Sequence, residues 1–348
     1  VNATEQNINP QMIILARESR GFSQKELADL LGISAGKLCR VEMEDQTLSV
    51  DAIERLTEIL RYPRSFFYQA GDAYIVSTIN FRKRDKVSAK LLSLVEARTS
   101  ISRMNLESLV KLIKFPAPKI PDLTVMITGS PEESAKQLRK LWKLPKGPLP
   151  NITELIENHG VPILCVDFGT ERVDSWAILL SDYKHSAIVV NRAMLGDRLR
   201  FSLAFELGHL VMHNRKAVPI ESRIDHEANV FAAELLMPAD DIRKDFEGNI
   251  TISMLASLKQ KWKCSMQALM YRASDLELLT PNQKRYLISQ FNALKIRRRE
   301  PPELDIPVEK PLLMRDLITR YRSAQKISVK EMATLLNLVP EEFLEKYK

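Results

Sequence analysis

"FSQKELADLLGISAGKLCRVE", residues 22–42, carries dense helix punctuation for its length in this 348-residue chain. Ser23 stands before a short apolar-periodic run with Glu26 three residues further on, so each side chain can close the other's open backbone N–H at a helix start. That run, Gln24 to Leu31, stops at Gly32, which permits a sharp turn. Ser34 then caps a second run through Glu42, with Leu38 and Val41 as its inward face. Upstream, Met12, Leu15 and Ala16 form one more apolar stripe and Gly21 ends it. Two short helices meet across a tight turn.

This is the helix-turn-helix plan. The longer stretch "ARESRGFSQKELADLLGISAGKLCRVEMEDQTLSVDAIERLTEIL" resembles the Cro/repressor-like Xre family over about 55 residues. The resemblance implies double-stranded operator DNA as partner. It also implies a homodimer, because two half-sites need two modules. In such folds the exposed face of the second helix enters the major groove, and here that face presents Ala35, Gly36, Lys37 and Arg40. Lys37 and Arg40 have the chemistry to read guanine edges, and Gln24 can hold a phosphate. Charge gives the other side of the argument. Residues 1–68 hold eight Lys or Arg against ten Asp or Glu, so the net +7 of the chain lies elsewhere. A helix-turn-helix used for protein contacts is the competing reading.

Composition bounds the rest. Hydrophobic content of 45% and charged content of 27% are those of a globular protein with a sizeable core, and the length suits two or three domains. No run of about 18 apolar residues offers a membrane span and VNATEQNINPQ lacks the layout of a signal peptide, so a cytoplasmic protein is expected. Cys39, Cys165 and Cys264 lie far apart, which argues against a disulfide framework or a thiolate zinc knuckle.

Downstream, "NFRKRDKVSAK" at 80–90 is a basic segment before a long apolar-striped helix to about Phe115, suited to a connector packed on both neighbours or to a dimer interface. Arg82, Lys83 and Arg84 are expected on a solvated face. "FPAPKIPDL" at 115–123 reads as a proline-rich linker. Helices over 130–144 and from Ile152 lead into three β-rich runs, "VPILCVDF", "SWAILLSD" and "HSAIVVN", and then into two more helices. His159 and His185 are expected in hydrogen-bonded structural roles. Near the end, "ISVKEMATLLNL" at 327–338 matches "FSQKELADLLGI" at 22–33 in six of twelve positions. It suggests a second helix-turn-helix-like unit, but "VPEEFLEKY" follows it with acidic residues where phosphates would be repelled. Protein contact is expected there. Arg297, Arg298 and Arg299 read as solvated surface.

"FSLAFELGHLVMHN", 201–214, poses the chemical question. In a His-Glu-x-x-His helix the two histidines share one face and a metal, and the glutamate stands beside the metal-bound water. Here Phe205 replaces the first histidine. The order "GDRLRFSLAFELGHLVMH" followed by "EANVFAAELLMP" resembles the ImmA/IrrE metallopeptidase family over roughly 129–275. That resemblance implies His209 as second helix ligand, Glu206 as general base, Glu227 as third ligand and zinc as cofactor. Position 205 does not carry over. Two ligands are too few for tight zinc, which normally has three or four from protein. His213, four residues past His209, is a possible substitute that would displace the metal by roughly 6 Å. The base then fails, since its shifted equivalent is Leu210. His226 is another substitute, though it faces a different way from Glu227.

The expected chain is therefore mainly α with a small β-sheet (α+β). A helix-turn-helix domain takes 1–70, a helical connector 71–128, a zincin-like α+β peptidase domain 129–280 and a helical C-terminal region 281–348. The expected function is a DNA-binding transcriptional regulator of bacteria or phages, with antitoxins among its relatives. Its ImmA/IrrE-like domain would sense or bind a protein partner, a toxin or repressor, without cutting it. The alternative is a zinc-dependent endopeptidase that cleaves a repressor-type protein.

Overall fold

The structure, a computed structural model, describes residues 8–70, 82–83, 87–113, 115–182, 184–213 and 221–347. In chain order the elements are α1 (Pro10–Ser19), α2 (Gln24–Leu31), α3 (Ala35–Glu42), α4 (Val50–Leu60), β1 (Arg82–Lys83), α5 (Ala89–Leu112), α6 (Val125–Thr128), α7 (Pro131–Leu141) and α8 (Ile152–Asn158). After them come β2 (Ile163–Val166), β3 (Val173–Leu179), β4 (Ser186–Asn191), α9 (Gly196–Met212), α10 (Glu221–Leu236), α11 (Ala239–Ile242), α12 (Ile252–Trp262) and α13 (Met266–Asp275). The last are α14 (Pro281–Ala293), α15 (Leu313–Gln325), α16 (Val329–Leu335) and α17 (Pro340–Tyr347). The fold is mainly α with one small sheet. Among the described residues no helix is long and apolar enough to cross a membrane.

Local chemistry accounts for the first four helices. Asn9, Ser23, Ser34 and Ser49 each cap one of them through a side-chain oxygen, and Ser23 with Glu26 forms the full reciprocal box. Gly32 ends α2 with φ of 69°, a conformation in which a Cβ would crowd the following carbonyl. Met12, Leu15, Leu27, Leu31, Leu38 and Leu56 then fill one core.

Strands run in the order β1-β3-β4-β2, with β2 parallel to β4 and the other pairs antiparallel. The three β-rich runs become β2, β3 and β4. The fourth strand, β1, comes from the basic segment at 80–90, and its backbone pairs with the edge of β3; Arg84 and the side chains of Arg82 and Lys83 lie outside the described residues. Alternate residues of β2–β4 point to two different cores, so both faces are covered. Ile163, Ala177, Ile188 and Val190 join α8 and α9 in the largest core. Leu164, Val166, Trp176 and Val189 pack against α5 and against α15–α17.

α5 is the hinge-pin of this arrangement. Its Ala97 and Ile101 complete the core of α1–α4, while Val95, Leu106 and Leu109 lie in the sheet's second core. The proline-rich 115–123 segment is packed rather than a free linker. Lys119 N donates to His159 O at 2.8 Å and Leu123 N to Val211 O at 3.0 Å. Prolines keep that stretch extended, and the remaining N–H groups find carbonyls on neighbouring turns.

A second strap runs over 300–309, with one short 3-10 turn at Pro302–Leu304. Glu300 accepts from the buried Lys259 at 2.7 Å, and Lys259 also donates to Asp197 at 2.6 Å. Glu309 pairs with Arg200, whose side chain is fully buried, and accepts from Thr153 N at 2.9 Å. A Cβ on Gly196 would lie 2.2 Å from Ile306 O, so the strap can cross the start of α9 only at a glycine. Buried cations left without these carboxylates would be strongly destabilising.

Candidate functional site

Two places concentrate the chemistry. The first is the outer face of α3, which Ser34 starts by accepting from Lys37 N at 3.1 Å. Leu38 and Val41 are buried, which rolls Arg40 into solvent and leaves Lys37 half-buried beside Glu44, Asp45, Gln46 and Thr47. Gln24 is placed differently from a free phosphate contact. Its side-chain amide donates to Glu42 at 2.6 Å. Glu42 is buried and also takes a two-pronged contact from Arg17, at 2.7 and 3.1 Å. A buried carboxylate needs such donors, and Gln24 is one of them. The outward cations of α3 are Lys37 and Arg40.

The second place is where α9 packs on α10. Gly208 permits it: a Cβ there would lie 2.9 Å from the Phe231 ring and 3.5 Å from Ala228 Cα. Close packing brings His209, His213 and Glu227 into one hydrogen-bonded row. His209 Nδ1 lies 3.0 Å from His213 Nδ1, and His213 Nε2 lies 3.0 Å from Glu227 Oε2. Arg223 donates to the other Glu227 oxygen at 2.9 Å, and Asp225 Oδ1 stands 3.6 Å from His209 Nε2. Burial pushes the His213 pKa down, against the opposing pull of Glu227 and Asp225. A neutral His213 satisfies both of its contacts in one tautomer. Its Nε2–H donates to Glu227, and its Nδ1 accepts from His209 Nδ1–H.

Phe205 lies in the core and meets His209 edge-on, with ring centroids 4.7 Å apart. Its ring offers a metal no lone pair. Glu206 is fully buried, and both of its oxygens are bonded to β3: Ser175 Oγ donates to one at 2.6 Å and Ala177 N to the other at 2.8 Å. A carboxylate bonded this way braces the helix against a strand. Among the described residues no group of three or more His, Cys, Asp or Glu side chains is arranged to hold a metal ion. The two ligands expected from the resemblance, His209 and Glu227, thus lie in one row with His213 between them. His226 is exposed and stands outside the row.

The other histidines have hydrogen-bonded structural places. His159 stacks on Trp142 at 3.7 Å and contacts Leu155 O, and His185 contacts Asp182. Sequence reasoning missed Arg223, Asp225 and Ser175 as partners of the motif. Arg223 was within reach, because it lies four residues before Glu227 on one helix. Ser175 gave no signal, being 31 residues from Glu206 and on a different element.

Comparison with known families finds two matches. Residues 13–67 match a helix-turn-helix family model and residues 156–274 match the model of the IrrE N-terminal-like domain. No curated protein matches the chain. The first match spans α1 to the turn after α4, and the second runs from α8 to α13. The chain thus joins a region that matches the helix-turn-helix family to one that matches the IrrE N-terminal-like domain.

Proposed function

We propose that the chain is a transcriptional regulator that binds double-stranded operator DNA as a homodimer through α3, and whose IrrE-like domain works without a resident zinc. The observation that carries the first half is the outward placement of Lys37 and Arg40 on the reading helix of a helix-turn-helix domain. Such side chains can form paired hydrogen bonds to guanine O6 and N7, each worth about 1–3 kcal/mol of discrimination. Selection of bound duplexes from a random pool by the full chain tests it. An enriched motif whose binding is lost in Lys37→Ala/Arg40→Ala is expected. No enrichment, or an enriched duplex bound equally by the variant, defeats the proposal.

The second half rests on the letters of α9. Phe205 stands where the family has a ligand, and Glu206 is bonded to β3. The domain then serves as a sensing or partner-binding body, with a toxin or a repressor as the expected class of partner and an antitoxin role within reach. One observation favours the alternative of a zinc endopeptidase: His213 lies between His209 and Glu227. A metal moved to that row would have Leu210 in the place of the base. Elemental mass spectrometry of the purified chain separates the two. Less than about 0.1 zinc per chain is expected, rising toward one in Phe205→His. About one zinc in the unaltered chain would move the assignment to the enzyme.

A further inference from the structure

The echo between residues 22–33 and 327–338 extends well beyond twelve letters. α16 begins 305 residues after α2, and α17 begins 305 residues after α3. Ser328 and Glu331 form the same reciprocal cap as Ser23 and Glu26. Asn337, which takes the place of Gly32, has φ of 53° against 69° in the glycine. The bond from Phe22 N to Arg17 O recurs from Ile327 N to Arg322 O, and that from Ile33 N to Ala28 O recurs from Leu338 N to Ala333 O. Leu27, Ala28, Leu31 and Leu38 are buried, and so are Met332, Ala333, Leu336 and Phe343 at the matching positions.

The outward letters differ in sign. Glu342 stands at the position of Lys37 and Glu345 at that of Arg40. A helix with carboxylates at both places repels phosphates. Both are occupied within the chain. Glu342 pairs with Arg20 at the end of α1, and Glu345 pairs with Arg192 just after β4. Arg20 is held ready for this contact, its guanidinium lying 4.3 Å over the Tyr62 ring and donating to Leu60 O at 2.7 Å and Arg61 O at 3.1 Å. The two pairs are unequal. Arg192 and Glu345 are 39% and 66% exposed, where an ion pair contributes little, whereas Arg20 and Glu342 are 25% and 17% exposed.

We propose that residues 313–347 form a second helix-turn-helix unit that has exchanged DNA for protein. Its reading helix, α17, docks by Glu342 on Arg20 and so fixes the DNA-binding unit against the IrrE-like body. The inference does not depend on the DNA sequence read by α3 or on any metal at α9.

Hydrogen exchange by mass spectrometry on the full chain tests it, with Glu342→Arg, Arg20→Glu, the two combined, and Glu341→Arg as a neighbour on the exposed side of α17. Each single change at the dock is expected to speed exchange roughly tenfold in peptides covering both the end of α1 and α17, because local opening at one end of the contact frees the other. The combined variant is expected to lose clearly less than the sum of the two single variants, the signature of direct coupling. Glu341→Arg is expected to change neither. Single variants that leave α1 unaffected, a combined variant that sums the two losses, or a Glu341→Arg that acts like Glu342→Arg would each overturn the proposal.

Discussion

α2–α3 and α16–α17 share a reciprocal cap, a turn and four buried core positions, and differ on the outward face of the last helix. Arg40 faces solvent and Lys37 is half-buried beside it in the first unit, while Glu342 and Glu345 are paired with arginines in the second. Fold and function are therefore written in different letters. Buried apolar residues and capping serines determine whether the helices assemble; two outward charges determine what the assembled unit can touch. α9 repeats the lesson. It packs closely on α10 and β3, and Phe205 lies in that core at the position where the proposed reading looks for a metal ligand.

The largest effects expected on this comparison come from the shared core. Leu38→Ala and Phe343→Ala remove the same inward contact from the two units, and each is expected to cost about 2–5 kcal/mol in denaturant unfolding. The comparison breaks if one proves silent, since that unit would then not be held by the contacts it shares with the other. Next in size is Glu206→Ala. Because Glu206 accepts from Ala177 N and Ser175 Oγ in a buried place, its loss is expected to destabilise by about 1–3 kcal/mol. An unchanged or raised melting temperature would instead mark a residue kept for chemistry at some expense of stability.

The smallest effect concerns pH. His213 has a pKa lowered by burial below its ordinary 6.5, so the folded state resists its protonation. The sign follows from proton linkage: the stability tied to neutral His213 is full above about 6.5 and declines as pH falls toward the lowered value. Unfolding free energies at about pH 7.5 and 5.5 are expected to differ more in the unaltered chain than in His213→Gln. Equal differences would remove His213 from the buried row.

What the sequence revealed was local. Ser23, Glu26, Gly32 and Ser34 announced α2 and α3 because caps and turns act over three or four residues, and period-two apolar runs announced β2–β4. Phe205 was visible as a departure because the motif around it is compact. Contacts across the chain were not visible. Arg20 and Glu342 are 322 residues apart, and nothing near either names the other. The same holds for Gln24, whose amide donates to Glu42, 18 residues away on another helix. Prolines at 115–123 read as a linker, but a proline-rich stretch can be packed as well as free, and only its neighbours decide.

The most direct test of the account measures the affinity of the full chain for its selected duplex across a range of salt concentrations. The unaltered chain is compared with Lys37→Ala/Arg40→Ala and with Glu342→Ala/Glu345→Ala. Removal of the cations of α3 is expected to lower specific affinity at least about a hundredfold, and any phosphate contact among them would also flatten the salt dependence. Removal of the carboxylates of α17 is expected to leave that affinity within about threefold. A duplex bound as tightly without Lys37 and Arg40 would contradict the assignment of α3 as the reader.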